Sequence, residues 1–367
     1  MYRYFLIFII STALFLSGCS TDSGKTTVGF INTLTGRYSD MGQDSMKGVL
    51  LALSDSGLED KISLDIQDDT GTPQGGASAL SRLSDKGVKY IIGPGLSNVA
   101  KSTVPLLKSR GMYMFSPTVS TSELAGINDN FVRIIPYNSK DQAMRITGYI
   151  VRELGVKETV IIYDTRNSSY STDIVRNITA SFMMRGCSVR DIRAFNPESG
   201  ESMQKLIEED KANPPDMYYI VGSPLDTALI IWQIRKAGYA SKIAIRAWAA
   251  GNEFMKFGGD AVNGVYLFDF YIDKYSESYK EFSKKYKAMF NEEPSWMSVH
   301  GYESGYILFN ALGSIKSGTP FCEAVRESAK TITLLKGLTL DNYCDASLPL
   351  SAFIIRNGKV ERIGSAE

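Results

Sequence analysis

A single histidine, His300, stands in the 367 residues of this chain. That scarcity excludes a histidine-built metal centre, and any serine or cysteine triad would have to use His300 itself, which no nucleophile motif flanks. The four cysteines form no Cys/His group with metal-ligand spacing, so no metal is expected. No complete phosphate-loop motif is present, Gly93-Pro94-Gly95 lacks the third glycine of a dinucleotide fingerprint, and no Gly-x-Ser-x-Gly elbow occurs. The chain also lacks net charge. Forty basic residues offset forty acidic ones, so no long-range field draws in nucleic acid. Low-complexity tracts and long linkers are missing, and beyond the N-terminus no stretch is apolar for long enough to cross a bilayer. These absences lead to an expectation of no enzyme, no cofactor and no nucleic-acid partner.

What is present begins at the N-terminus. Arg3 precedes an apolar run from Phe5 to Leu16, broken only by Ser11 and Thr12 and followed by Ser17-Gly18-Cys19. The run is short for a membrane span and has the shape of an export signal. Leu16-Ser17-Gly18-Cys19 resembles the bacterial lipobox, whose cysteine is lipidated and becomes the first residue after cleavage. The expectation is a signal peptide over residues 1–18 and a lipidated Cys19 with a polar tether to residue 26. The remainder would be extracytoplasmic and held to a membrane by acyl chains. Export permits disulfides, so Cys322 and Cys344 are the expected pair, with Cys187 buried and free. His300 reads as a packed or surface residue.

From Thr27 onward, β-rich runs alternate with helical patterns. Strands are expected at Val28–Ile31, Ile62–Gln67, Val88–Ile92 and Met112–Phe115, with helices at Gly42–Leu53, Pro73–Lys86 and Ser97–Arg110 between and after them. The pattern restarts with helix Ser139–Leu154, strand Thr159–Tyr163, helix Ser171–Arg185 and strand Ser188–Ala194. Helix Glu201–Lys211, strand Met217–Val221, helix Asp226–Ala237 and strand Ile243–Arg246 follow. Two successive βα sets imply an α/β fold of two similar lobes with mostly parallel sheets. Tyr275, Tyr279, Phe282, Tyr286 and Phe290 recur at helical spacing, which predicts a docked amphipathic helix. A second long helix is expected at Trp296–Ile315, and Asn357-Gly358 between β-rich runs predicts a hairpin.

Open α/β sheets bind ligands at the carboxyl ends of their strands. Three loops qualify in the first lobe: Asn32 to Tyr38, Leu96-Ser97-Asn98, and Phe115 to Ser120. Ser97 and Ser120 offer hydroxyls beside backbone N–H groups, which suits one carboxylate. As an alternative, both are helix caps. Adjacent Asp68 and Asp69, at a strand end, read as loop-orienting caps rather than a catalytic pair.

The stretches "VGFINTLTGRYSDMGQDSMKGVLLAL", "DIQDDTGTPQGGASALSRL", "GVKYIIGPGLSNVAKSTVPLLKSRGMYMFSPTVST" and "PDMYYIVGSPLDTALIIWQIRKAGY", in that order, resemble the branched-chain amino-acid-binding family of type I periplasmic binding proteins. The similarity weakens beyond about Tyr271. The resemblance implies two Rossmann-like lobes joined by three crossings, which close like a flytrap on a small ligand destined for an ABC permease. The lobes would comprise residues 27–138 with 269–334, and 139–268 with 335–367. Ser97 and Ser120 match the family's carboxylate-holding positions, and the Thr118 backbone is available to an ammonium group. Met41 stands where the family has an aromatic and would wall an apolar side chain, and Tyr38 and Asn98 join the expected ligand-binding set. Tyr170 matches the tyrosine that closes over the ligand, and Ser223 also stands where the family has an aromatic. The usual ammonium-pairing acid is replaced by Trp248 and Ala249. Either Asp164 or Glu253 substitutes for it, or the Trp248 ring takes the cation, or the ligand carries no ammonium group. The alternative for function keeps this fold in an envelope lipoprotein that senses or regulates a membrane or cell-wall partner.

Overall fold

The inner β-rich runs of the first βα set are buried on both faces, as parallel strands covered by helices must be, whereas the edge run Ile62–Asp68 is only partly buried. The computed structural model describes residues 24–315 and 319–366; the export signal and Cys19 lie outside the described residues. One sheet contains β1 (Thr26–Asn32), β2 (Ile62–Asp68), β3 (Tyr90–Ile92), β4 (Tyr113–Ser116) and β5 (Phe131–Arg133), all parallel, in the order β2-β1-β3-β4-β5. The other contains β6 (Glu158–Asp164), β7 (Ser188–Phe195), β8 (Met217–Val221), β9 (Lys242–Arg246) and β10 (Val265–Phe270), with β13 (Leu350–Arg356) and β14 (Lys359–Ser365) added antiparallel at one edge. Two short strands, β11 (Thr339–Leu340) and β12 (Ala346–Ser347), pair with each other in a separate sheet.

The crossovers are α1 (Ser39–Ser56), α2 (Pro73–Asp85), α3 (Ser97–Thr103) and α4 (Leu107–Arg110) in the first lobe. In the second they are α5 (Lys140–Leu154), α6 (Ser168–Met184), α7 (Pro224–Lys236) and α8 (Asn252–Gly258). The aromatic helix α9 (Glu277–Phe290), with α10 (Trp296–Ser314) and α11 (Phe321–Ala329), then returns to the first lobe. Tyr279, Phe282 and Tyr286 join Val28, Phe30, Ile92 and Phe115 in one core. Side-chain caps start several of these helices: Thr72 before Pro73, Ser139, Ser276, and Ser295 in a reciprocal capping box.

Several expectations need correction. The helix expected over Ser97–Arg110 is interrupted by a tighter turn at Val104–Leu106, because Pro105 has no N–H to donate. Glu201–Lys211 forms only two short 3-10 turns, since Asp210 is drawn inward to Arg193 Nη1 (2.6 Å) and Tyr218 Oη (2.7 Å). Asn357 and Gly358 do make the tight hairpin, with φ of 49° and 70°, the left-handed pair that an Asn-Gly turn supplies. His300 is a packed residue: it is buried, Nδ1 lies 2.8 Å from the Trp296 carbonyl, and burial lowers its pKa to about 4.

The chain passes between the lobes three times, through residues 134–139, 271–276 and 348–349. The first lobe keeps more of the C-terminal region than expected, because residues 335–347 pack there. Leu335 and Cys344 sit in its core, Cys344 is disulfide-bonded to Cys322 on α11, and Asp345 is paired with Arg133 at the end of β5. Asp269 and Phe270, in β10, belong to the second sheet. Cys187 is the buried free cysteine. The disulfide closes a loop with a sequence separation of 22, so reduction should cost about 3 kcal/mol through the unfolded chain's regained freedom. Thermal unfolding with and without reductant tests this; a melting temperature indifferent to reductant would mean the bond adds nothing to the noncovalent contacts of this segment.

Candidate ligand-binding site between the lobes

The first-lobe wall is set by backbones that approach closely. Gly93, at φ 115°, lies against β1, where an added Cβ would sit 1.8 Å from the Ile31 carbonyl oxygen. A Cβ on Gly95 would meet Asn32 Oδ1 at 2.4 Å. The Gly-Pro-Gly sequence therefore lets the β3 loop fold flat beside the β1 loop and aim Leu96 and Ser97 at the cleft. The β4 loop is organised by Ser116, whose hydroxyl donates to the Pro94 carbonyl (2.8 Å) and accepts from the Val119 N–H (3.0 Å). Asp68 and Asp69 do orient loops: Asp68 Oδ1 accepts the N–H groups of Leu34 and Thr70, and Asp69 Oδ1 accepts from the Thr33 hydroxyl and the Gly71 N–H.

Ser97, Thr118, Ser120 and Met41 from the first lobe line one cavity with Tyr170 and Trp248 from the second. Tyr38 lines the adjoining space with Met41, Leu96 and Thr118. Neither serine caps a helix. Leu96 occupies the α3 cap position without a side-chain bond, and the cap near Ser120 is Thr121. The Ser120 hydroxyl accepts only a long bond (3.4 Å) from Asn138 Nδ2, and the Thr118 hydroxyl donates to the Gly95 carbonyl (2.8 Å). Across the gap, Trp248 Nε1 points at Met41 Sδ (3.1 Å), and its ring meets Tyr170 edge-on at 5.2 Å.

Two expected site residues are elsewhere. Ser223 caps α7: its hydroxyl accepts the Asp226 N–H (3.3 Å) and donates to Asp226 Oδ2 (2.6 Å), so it is spent within its own helix turn. Asn98 is used up between the lobes. Its N–H donates to Asn167 Oδ1 (3.2 Å), and its Oδ1 accepts the Ser169 N–H (2.8 Å). The acids considered as substitutes also lie outside the cavity. Asp164 is buried under Arg166 (Nη2–Oδ2, 2.6 Å) and accepts from the Tyr38 hydroxyl (3.3 Å). Glu253 faces Asp40 instead, and burial together with that like charge pushes the Asp40 carboxyl up to about 6.

The lobes meet around this cavity through polar contacts that the sequence did not reveal. Arg37 pairs with buried Asp226, which also accepts from Arg166 (2.8 Å), while Arg166 lies 4.8 Å over the Tyr38 ring. Asp173 on α6 accepts both the N–H (2.6 Å) and the hydroxyl (2.7 Å) of Ser122. Within the cavity, sequence reasoning missed Asn138, Asn167, Trp296, Met297, Phe270 and Arg246. A roomier open groove, ≈ 660 Å³, runs along the crossings between Tyr137 and Leu350, and none of the expected residues lines it. The smaller cavity is the better candidate because it lies between the lobes and gathers the strand-end loops.

The model of a family described as periplasmic binding protein matches residues 25–347. A Leu/Ile/Val-binding protein of Rhizobium johnstonii is 24% identical over 244 residues, covering 65% of this chain and 66% of that relative's length. The crystal structure of a leucine-binding protein from Thermotoga maritima superposes with a TM-score of 0.81 at 23% identity, over 93% of this chain and 98% of the other. A solute-binding protein of an ABC transporter from R. palustris, crystallised with benzoate, also gives 0.81 at 16% identity, over 94% and 96%. With its two lobes, three crossings and matched sequence model, the chain belongs to the periplasmic binding protein family.

Proposed function

We propose that the chain is a lipid-anchored, extracytoplasmic solute-binding protein that captures a small carboxylate-bearing ligand by hinge closure and delivers it to an ABC importer. The observation that carries this reading is the shared cavity: Ser97, Thr118 and Ser120 on one lobe face Tyr170 and Trp248 on the other. A ligand held there is covered only when the lobes meet, so its binding energy drives closure. Leucine and benzoate, named with two structural neighbours, have a carboxylate in common and little else. Hydroxyls free of capping duty are suited to such a group. The short crossings allow rigid rotation, and the Arg37–Asp226 and Ser122–Asp173 contacts are those a closed form would make. Anchoring rests on Leu16-Ser17-Gly18-Cys19 alone.

The test is a thermal-shift screen of the full chain against small carboxylates, starting with leucine, isoleucine and benzoate, because a ligand that binds the native state raises the melting temperature. Ser97→Ala combined with Ser120→Ala should cost about 3 kcal/mol of binding, two charge-assisted hydrogen bonds at about 1.5 kcal/mol each. That is roughly a hundredfold loss of affinity, with the unliganded melting temperature nearly unchanged. A double variant that binds the same carboxylate at full strength would remove the serines from the site.

A further inference from the structure

Arg246 is the charged side chain among those lining the cavity, and no carboxylate lines it. It ends β9, is 7% exposed, and its Nη2 donates to Gln142 Oε1 at 3.1 Å. Its Nε is buried without any hydrogen-bond acceptor. A buried guanidinium in that condition is costly unless an anion arrives to accept from it. The Tyr170 and Tyr219 hydroxyls lie at the guanidinium, and the Asp269 carboxyl is close enough for its charge to act on it. Asp269 turns one oxygen to the Phe270 N–H (2.7 Å), forms no ion pair with Arg246, and has its carboxyl pushed up to about 7 by burial. The rest of the lining is uncharged: Ser97, Thr118, Ser120, Asn138 and Asn167 are polar, and Phe270, Trp296, Met297 and Ile135 are aromatic or apolar.

Resting on the carboxylate-binding reading above, we infer that Arg246 is the counter-charge for the ligand and that the ligand is an organic acid without an ammonium group. The physical reason is charge complementarity in a closed cavity. One cation and no anion in the lining are neutralised by a guest of net charge −1. A zwitterionic amino acid would instead bring an ammonium group into a space with a fixed guanidinium and no carboxylate to meet it. The aromatic belt around the cavity selects acids with an apolar body.

The experiment compares matched pairs on the full chain: leucine against 4-methylpentanoate, phenylalanine against 3-phenylpropanoate, and benzoate alone. In each pair the deaminated acid should bind at least tenfold more tightly by calorimetry and raise the melting temperature where the amino acid does not. Arg246→Met should lose at least tenfold in affinity for the acids, and Arg246→Lys should recover part of it, with the unliganded melting temperature confirming that each variant is folded. If Arg246→Met fails to fold, the matched pairs on the unaltered chain decide alone. Amino acids that bind as tightly as their deaminated partners overturn this inference and leave the carboxylate site standing. No response to any of these acids at millimolar concentration overturns both.

Discussion

Replacing Asp345 by alanine should destabilise the first lobe by about 3–5 kcal/mol, the cost of leaving a buried charge without its partner. Arg133 is fully buried at the end of β5. Its Nε donates to Asp345 Oδ1 (2.6 Å) and its Nη1 to the Thr121 carbonyl (2.7 Å), while Phe131 and Tyr137 flank the guanidinium at 5.7 and 5.5 Å. The other oxygen of Asp345 accepts the Gly126 N–H (2.6 Å). One carboxylate therefore joins three places: the strand end, the loop after the Ser-Pro segment, and the β11–β12 segment. Without it the guanidinium loses its hydrogen-bonded anion, and Asp129, the other carboxyl near enough to feel its charge, makes no hydrogen bond to it. In a lobe of this size that should lower the melting temperature on the order of 10 °C. Asp345→Asn keeps an acceptor for one of the two donors and should fall between. A loss under about 1 kcal/mol for the alanine variant would mean that Arg133 reaches solvent and that the pair acts like a surface ion pair.

The fold was legible where physics is local. Apolar runs of strand length, bounded by glycine and proline, revealed β1 to β4 and β6 to β9 but not β5 or β10, and Asn357-Gly358 revealed the hairpin, because each of these signals spans a few residues. The first-lobe half of the cavity was legible too, since Ser97, Thr118 and Ser120 follow strands at the end where open sheets present their loops. What failed was pairing at a distance. Nothing near residue 98 announces that its amide will be consumed by Asn167 and Ser169 of the other lobe. Nothing near residue 345 announces Arg133.

Ser223 and Arg246 are different, because their signals were present. Ser223-Pro224-Leu225-Asp226 reads as a helix start, with proline in the first turn and an acid at the third position, so the cap explains the serine. Along β9, Ile243 and Ile245 pack in the core on one face of the sheet, while Ala244 belongs to the core on the other. Side chains alternate with period two, so Arg246 and Ala244 share the face that leads to the cavity. Counting that parity would have placed an arginine, two residues before Trp248, at the mouth of the site.

The second large effect links packing to binding. Helices α1 and α10 cross so closely that a Cβ on Gly48 would lie 2.1 Å from the Ser298 carbonyl oxygen and 2.6 Å from the Tyr302 nitrogen; one on Gly301 would lie 2.2 Å from the Ser45 carbonyl oxygen. These are backbone atoms, which cannot rotate aside, so any side chain at these positions must push the helices apart. In an open helix, Gly→Ala stabilises by about 1 kcal/mol through propensity. At Gly48 the same change should destabilise by about 2 kcal/mol, and Gly48→Val by on the order of 4 kcal/mol, beyond ordinary overpacking because two backbones must separate. Gly313, on the same α10, is the internal control. A Cβ there meets only Leu58 Cδ1 at 3.8 Å, so Gly313→Ala should leave stability equal or higher. Because α1 begins beside the cavity with Tyr38 and Met41, displacing it should also weaken binding of any acid the chain captures, whereas Gly313→Ala should not. Urea unfolding and calorimetry on the three variants separate the outcomes. A Gly48→Ala protein as stable as its parent would show that the helix crossing is looser than the Gly48–Ser298 approach requires. Stability lost with affinity intact would show that the cleft is positioned independently of α1.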